Sequence, residues 1–166
     1  FLDHRRQVVV RRTIFDLAKA QARAHLLLGL ALALSNLDRV IAIIRASKDP
    51  EEAKARLAAE ISVEVAALER FLDLPHLDLT PRTRREGDVL RLDEVQAQAI
   101  LEMRLQRLTG LERDKILAEY KDVLALIADL KDILARPERV AAIIRDELAD
   151  VKSRFGCDRR TEISTL

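Results

Sequence analysis

Val8-Val9-Val10-Arg11-Arg12-Thr13-Ile14-Phe15-Asp16-Leu17 opens a stretch with no proline, and no glycine before Gly29. Apolar or small residues recur at Val10, Ile14, Leu17, Ala24, Leu28 and Ala31, with Gln21 the single polar interruption, in alternating steps of four and three. That spacing predicts a helix from Phe1 to about Leu34 with a coiled-coil seam. Near the other end of the chain, Val140, Ile144, Leu148, Val151 and Phe155 form a matching stripe on a helix expected over Pro137 to Phe155. Two such helices at opposite ends of one chain are expected to meet as an antiparallel hairpin, with the residues between them forming a head.

Composition supports a helical reading. The 166 residues are 49% apolar with four glycines and four prolines, enough for one domain with an ordinary core, and the fold class expected is all-α. A net charge of +1 excludes a global positive field, so any nucleic-acid contact must come from local patches. Cys157 is the only cysteine, which leaves no internal disulfide and no Cys-based metal framework, and fits a reducing, cytoplasmic setting. The longest apolar run, Leu26 to Leu34, is less than half of the roughly 20 residues a bilayer requires and reads as core, with no membrane role. The start at Phe1, without initiator Met or signal peptide, suggests a piece of a longer protein.

From Leu26 the first helix becomes apolar on all sides, as a helix does on entering a core, and Gly29 within it marks a close-packing point. Leu37, Val40, Ile41 and Ile44 give one face of a short second helix. Asp49-Pro50-Glu51-Glu52 is a strong start signal, with Asp as N-cap, Pro in the first turn and Glu positioned to close a capping box. A helix from Pro50 to about Glu60 follows, then another across Val63 to Phe71. Pro75, Pro81 and Gly87 punctuate a loop from Asp73 to Leu92, in which Leu77-Asp78-Leu79 and Val89-Leu90-Arg91-Leu92 could pair as a small hairpin.

Asp93 with Gln96 starts the next helix, expected to end at Leu108 before Gly110. Ala97, Leu101, Leu105 and Leu108 form its main apolar face, and Ile100 and Met103 a second line beside it. That second line meets either another protomer or another helix of the same head; the first reading makes Ile100, Met103, Arg104 and Arg107 the expected dimer interface. From Leu111 to Leu134, Ile116, Tyr120, Val123, Ile127, Leu130 and Leu134 form a regular stripe, and Arg136-Pro137-Glu138 restarts the chain as the return helix, which Gly156 ends. At 1.5 Å per residue the first helix spans about 50 Å and the return helix about 28 Å. If Phe155 lies near Asp3, Pro137 therefore lies near Gln21. The expected layout is a coiled-coil stalk of residues 1–24 and 137–156, a head of 25–136 and a tail of 157–166.

Catalytic signals are sparse. His4, His25 and His76 lie far apart in sequence without a Ser or Cys nucleophile context, and read as surface or core residues. Tyr120, the only tyrosine, lies on an apolar stripe where its ring suits packing. No catalytic, cofactor or metal residue is expected in this chain. One cluster stands out: hairpin pairing brings Arg5, Arg6, Arg11 and Arg12 to the same end as Lys152, Arg154, Arg159 and Arg160. Such a basic foot either faces nucleic acid or consists of ordinary solvated helix faces, with Asp3, Asp146, Glu147 and Asp150 nearby.

The opening stretch with Ala22-Arg23-Ala24-His25, the run Gln96-Ala97-Gln98-Ala99-Ile100-Leu101-Glu102-Met103-Arg104-Leu105-Gln106-Arg107-Leu108-Thr109-Gly110-Leu111, and the ending Arg154-Phe155-Gly156 with Arg159-Arg160-Thr161-Glu162-Ile163 together resemble the A subunits of bacterial DNA gyrase, a type IIA topoisomerase family. The resemblance implies the coiled coil and dimerising head that form the exit gate for a transported DNA duplex. It implies a homodimer through the head, the gyrase B subunit as a partner, and a cleaving tyrosine, magnesium site and ATPase that all lie outside this chain. The same region of topoisomerase IV is the near alternative, against which Arg11-Arg12-Thr13-Ile14-Phe15-Asp16 favours gyrase; a coiled-coil scaffold without a role in DNA passage is the distant one. Leu28 departs from the family, which usually carries an acidic residue there, and the Asp49 to Leu92 region matches poorly.

Overall fold

The computed structural model describes residues 1–74, 77, 79, 81–103 and 110–161, the side chains of 110–112 excepted. Among these, seven helices and three short strands follow in the order α1 (Leu2–Ser35), α2 (Leu37–Ala46), α3 (Pro50–Glu60), β1 (Ser62–Glu64), α4 (Val65–Leu72), β2 (Arg84–Glu86), β3 (Val89–Arg91), α5 (Glu94–Glu102), α6 (Gly110–Ala135) and α7 (Pro137–Phe155). Helix dominates, but the all-α expectation is corrected by the small sheet. The chain divides into two compact units, one of residues 1–17 with 129–166 and one of residues 18–128. The divisions fall at Leu17/Ala18 and Ala128/Asp129, inside α1 and α6.

The unit formed by the chain ends is built from the start of α1, the end of α6 and α7. Pro137 sits in the first turn of α7 with Glu138, while Lys152 and Arg154 occupy its last turn, so both ends complement the helix dipole. Val9, Thr13, Leu130, Ile133, Val140 and Ile144 are buried. The seam expected at Val10 and Ile14 is turned by about one residue, leaving Ile14 52% exposed and Val9 fully buried. The cause lies in the flanking charges. Arg5, Val9 and Arg12 share one helix face at four- and three-residue spacing, and both arginines pair with Glu147 of α7, which turns Val9 inward. Thr13 can follow it because its hydroxyl donates to the Val9 carbonyl at 2.9 Å. On α7 the stripe is buried only in its first half; Leu148, Val151 and Phe155 are exposed.

In the second unit α1 becomes the central element. Leu27, Leu28, Ala31, Leu32 and Ala33 are all buried, so the wholly apolar run is the core that its composition implies. The same burial accounts for α1 being long and apolar enough to cross a membrane, since half of its most apolar window lies inside the chain. Asp49 caps α3 by accepting from the Glu52 amide at 2.7 Å, and Glu52 accepts in return from the Lys48 amide at 2.9 Å, one residue before the position a standard capping box uses.

The sheet has the order β1-β3-β2, antiparallel throughout, with Leu90 opposite both Val63 and Arg85. Val89–Arg91 is a strand as expected, but its hairpin partner is Arg84–Glu86. Gly87, at a φ of 63°, opens the two-residue turn between them. Of the expected pairing segment, Asp78 lies outside the described residues and Leu77 and Leu79 are not in a strand. The helix expected across Val63 begins later, because Ser62–Glu64 alternates exposed, buried, exposed and joins the sheet first. At the end of α4, Asp73 adopts the left-handed conformation with φ 53°, and the Leu74 amide reaches the Glu69 carbonyl at 3.0 Å in a Schellman closure.

Candidate functional site

Helix α5 carries the expected dimer line, and its geometry begins at its N-terminus. The Asp93 side chain accepts from the Gln96 amide at 2.7 Å, and the Gln96 side chain accepts from the Asp93 amide at 3.1 Å, a complete capping box. Gln96 is itself buried, with Ala97 and Ile100. The inward face keeps the expected Ala97 but takes in Gln96 and Ile100 beside it, while the expected Leu101 is only half-buried. Ile100 is completely buried within its own chain, so its side chain offers no surface to a second protomer. Met103, half-buried, ends the helix with φ −71° and ψ 125°. The helix closes at Glu102 with Met103 as its C-cap, and the expected continuation to Leu108 falls on residues 104–109, outside the described residues. Arg104 and Arg107 lie outside the described residues, and Gly110 opens α6 instead of closing α5.

What pulls α5 inward is a polar group that the sequence offered only in fragments. His25 of α1 is buried, and its Nε2 lies 2.6 Å from Asp93 Oδ2. Gln96 Nε2 donates to the His25 carbonyl at 2.8 Å and lies 3.5 Å from His25 Nδ1. One turn along α1, Gly29 faces Gln96 so closely that a β-carbon there would stand 2.6 Å from Gln96 Cβ. The close-packing role expected of Gly29 has this physical content. The signal was the i, i+4 pairing of His25 with Gly29 on one face of α1, set beside the Asp93/Gln96 capping pair. An ion pair on this unit, Arg23 with Glu119 at 2.6 Å, joins α1 to α6.

The residues of the expected basic foot meet different fates. Arg12 donates to Glu147 Oε1 at 2.7 Å and Arg5 donates to the other oxygen. The Arg12 guanidinium, with Arg5 adding to it, holds the Glu147 carboxyl below the usual carboxylate range. Arg6 lies 3.6 Å from Asp3. Arg159 donates to the Thr161 hydroxyl at 3.0 Å. Arg11 and Arg160 are exposed and have no ion pair among the described residues. At the α6–α7 turn, Asp132 accepts from Arg136 and from Arg139, the latter at 2.7 Å, and Arg139 also donates to Asp129 at 2.9 Å. The Arg136 contact, reinforced by Arg139, depresses the Asp132 carboxyl, and the Asp129 contact first, then Asp132, raises Arg139.

Among the described residues no three His, Cys, Asp or Glu side chains converge as metal ligands would. Tyr120 is buried, in keeping with packing. His76 lies outside the described residues, and His4 is exposed at the chain start.

The sequence model of the DNA gyrase/topoisomerase IV A-subunit family matches residues 1–149. The chain belongs to this family. Similar proteins include the DNA gyrase A subunit of Streptococcus pneumoniae, 50% identical over 98% of this chain and 16% of its own length, and that of Aeromonas salmonicida, 51% identical over 99% and 18%. The DNA gyrase A subunit of Pseudomonas aeruginosa is 47% identical over 98% of this chain and 18% of its own. The chain therefore spans about a sixth of the length of these relatives.

Proposed function

We propose that this chain is the exit-gate and primary dimerisation region of a DNA gyrase A subunit. In this reading the unit of residues 18–128 forms the head. It meets a second copy across a two-fold axis through a contact made by Met103, Arg104 and Arg107, with Ile100 buried in the helix that carries Met103. The α1–α7 pair is the strut of an antiparallel coiled coil, and the transported duplex leaves as the heads part. Magnesium, ATP hydrolysis, the gyrase B subunit and DNA cleavage belong to the rest of the cytoplasmic holoenzyme.

The observation that carries the reading is the family match across residues 1–149, joined to near-complete coverage of this chain by gyrase A subunits it spans only in part. Physical support comes from α1, which is paired to α7 near its start by Arg5 and Arg12 and holds α5 by His25 farther along. Gyrase is preferred to topoisomerase IV because the relatives given above are gyrase subunits. Sedimentation of the purified chain tests it. A dimer at micromolar concentration is expected, and a monomer throughout that range overturns the gate reading.

A further inference from the structure

We propose that His25, Asp93 and Gln96 form a one-way hydrogen-bond circuit that seats α5 on α1 and, through α5, sets the lifetime of the dimer; this rests on the exit-gate reading. The direction of every bond follows from the partners. Asp93 Oδ1 is committed to the Gln96 amide at 2.7 Å, and Oδ2 faces His25 Nε2 at 2.6 Å. An ionised carboxylate only accepts, so Nε2 carries the proton. Gln96 cannot turn its amide over, because its Oε1 accepts from the Asp93 backbone at 3.1 Å. Its NH₂ must therefore face His25, donating to the carbonyl at 2.8 Å and lying 3.5 Å from Nδ1. Nδ1 thus faces a donor at 3.5 Å, an arrangement that suits a lone pair there. A hydrogen there would point at a donor.

The circuit is closed, and enclosed except at its Asp93 end, which is half-buried. His25 and Gln96 are both buried, and no buried side-chain polar atom among the described residues lacks a partner. Gly29 makes it possible, since a β-carbon at that position would drive Gln96 away from the His25 carbonyl. A buried polar group with a single satisfied direction specifies one seating of the helix, where apolar side chains would tolerate several. Met103 follows one helix length behind Asp93 on α5, so the seating of its N-terminus fixes where the proposed contact surface stands.

Two near-isosteric changes test the direction itself. In Asp93→Asn the cap oxygen is kept, since Asn caps as well as Asp, but an NH₂ now faces Nε2. His25 must then carry its proton on Nδ1, against the Gln96 NH₂. Adding Gln96→Glu places an oxygen where that NH₂ stood. Burial against the His25 carbonyl favours the neutral carboxyl there, whose hydroxyl donates to the carbonyl while the same oxygen accepts from Nδ1–H. Every bond of the circuit is then remade with the direction at His25 reversed.

The measurement is subunit exchange between differently labelled dimers of the complete A subunit. Asp93→Asn is expected to speed exchange about tenfold, the scale of one unsatisfied buried donor, and Asp93→Asn with Gln96→Glu to recover most of that loss. Exchange unchanged by Asp93→Asn, or a double variant that exchanges no more slowly than the single, overturns the circuit. A Met103→Glu control separates this from the gate reading: if it leaves exchange untouched, the gate reading fails; if it speeds exchange while Asp93→Asn does not, only the circuit fails.

Discussion

Arg12 donates to Glu147 across 2.7 Å and so ties the first helix to the last, although 135 positions separate them in the chain. Arg5 reaches the same carboxylate from two turns earlier, and Val9 between them is fully buried. Charge here decides the rotation of a helix whose apolar pattern alone leaves it one residue out.

Acid should release this tie. Glu147 is held below its ordinary value, by Arg12 first and Arg5 second, while in the unfolded chain it titrates near the reference value of about 4.3. Between those two values the unfolded chain binds a proton that the folded chain does not. The contribution is therefore complete above the unfolded value and is lost as pH falls through the lowered folded one. Urea unfolding at pH 7 should place Glu147→Gln below the natural protein by about 1 kcal/mol, the upper range for a partly exposed pair. The gap should close as the pH is taken below the folded value, and shrink in high salt. A gap that persists in acid would assign the effect to packing.

Gly29→Ala separates helix propensity from packing. In an isolated helix the change is favourable by about 1 kcal/mol. Here the new methyl would lie 2.6 Å from Gln96 Cβ, an atom close to the backbone of α5 that cannot swing aside. Overpacking of about 1–3 kcal/mol is expected to win, giving a lower thermal midpoint. A raised midpoint would mean that α5 yields easily to α1.

Much of the architecture was legible in the sequence. Asp49-Pro50 fixed the start of α3, Pro137 that of α7, and the Leu26–Leu34 run announced the core, because caps, prolines and continuous apolarity act locally. What was missed depends on contacts between distant residues. The burial of Val9 over Ile14 requires Glu147, and that of Gln96 requires His25. The hairpin had a local signal, Gly87-Asp88 between Arg84–Glu86 and Val89–Arg91, but three of the six strand residues are arginines, which hides a strand from a search for apolar alternation. The end of α5 at Glu102 has no signal in its own residues.

Ile100 and Met103 should part company in experiment. Ile100 is fully enclosed by its own chain, so Ile100→Ala is expected to cost about 2–5 kcal/mol of folding stability through the cavity it leaves. Met103 is only half-buried at the end of α5. Met103→Ala should barely change the stability of a dilute sample and instead weaken dimer formation, measured by sedimentation over a concentration series. Equal losses of folding stability in both variants would place Met103 in the core as well and remove it from the proposed interface.

The basic foot divides the same way. Arg12→Glu sets a carboxylate against Glu147 and should loosen the α1–α7 pairing whatever the residue does for DNA, so its effect on activity would prove little. Arg11 and Arg160, exposed and without an ion pair among the described residues, are the informative positions: Arg11→Glu and Arg160→Glu should leave unfolding within about 0.5 kcal/mol of the natural protein. If they face the transported duplex, each neutralises a phosphate. Their removal in the complete A subunit should then reduce the slope of log affinity against log salt by about 0.9 per contact. An unchanged slope, with stability intact, would return these arginines to solvated helix faces and confine the role of the foot to the grip of Arg5 and Arg12 on Glu147.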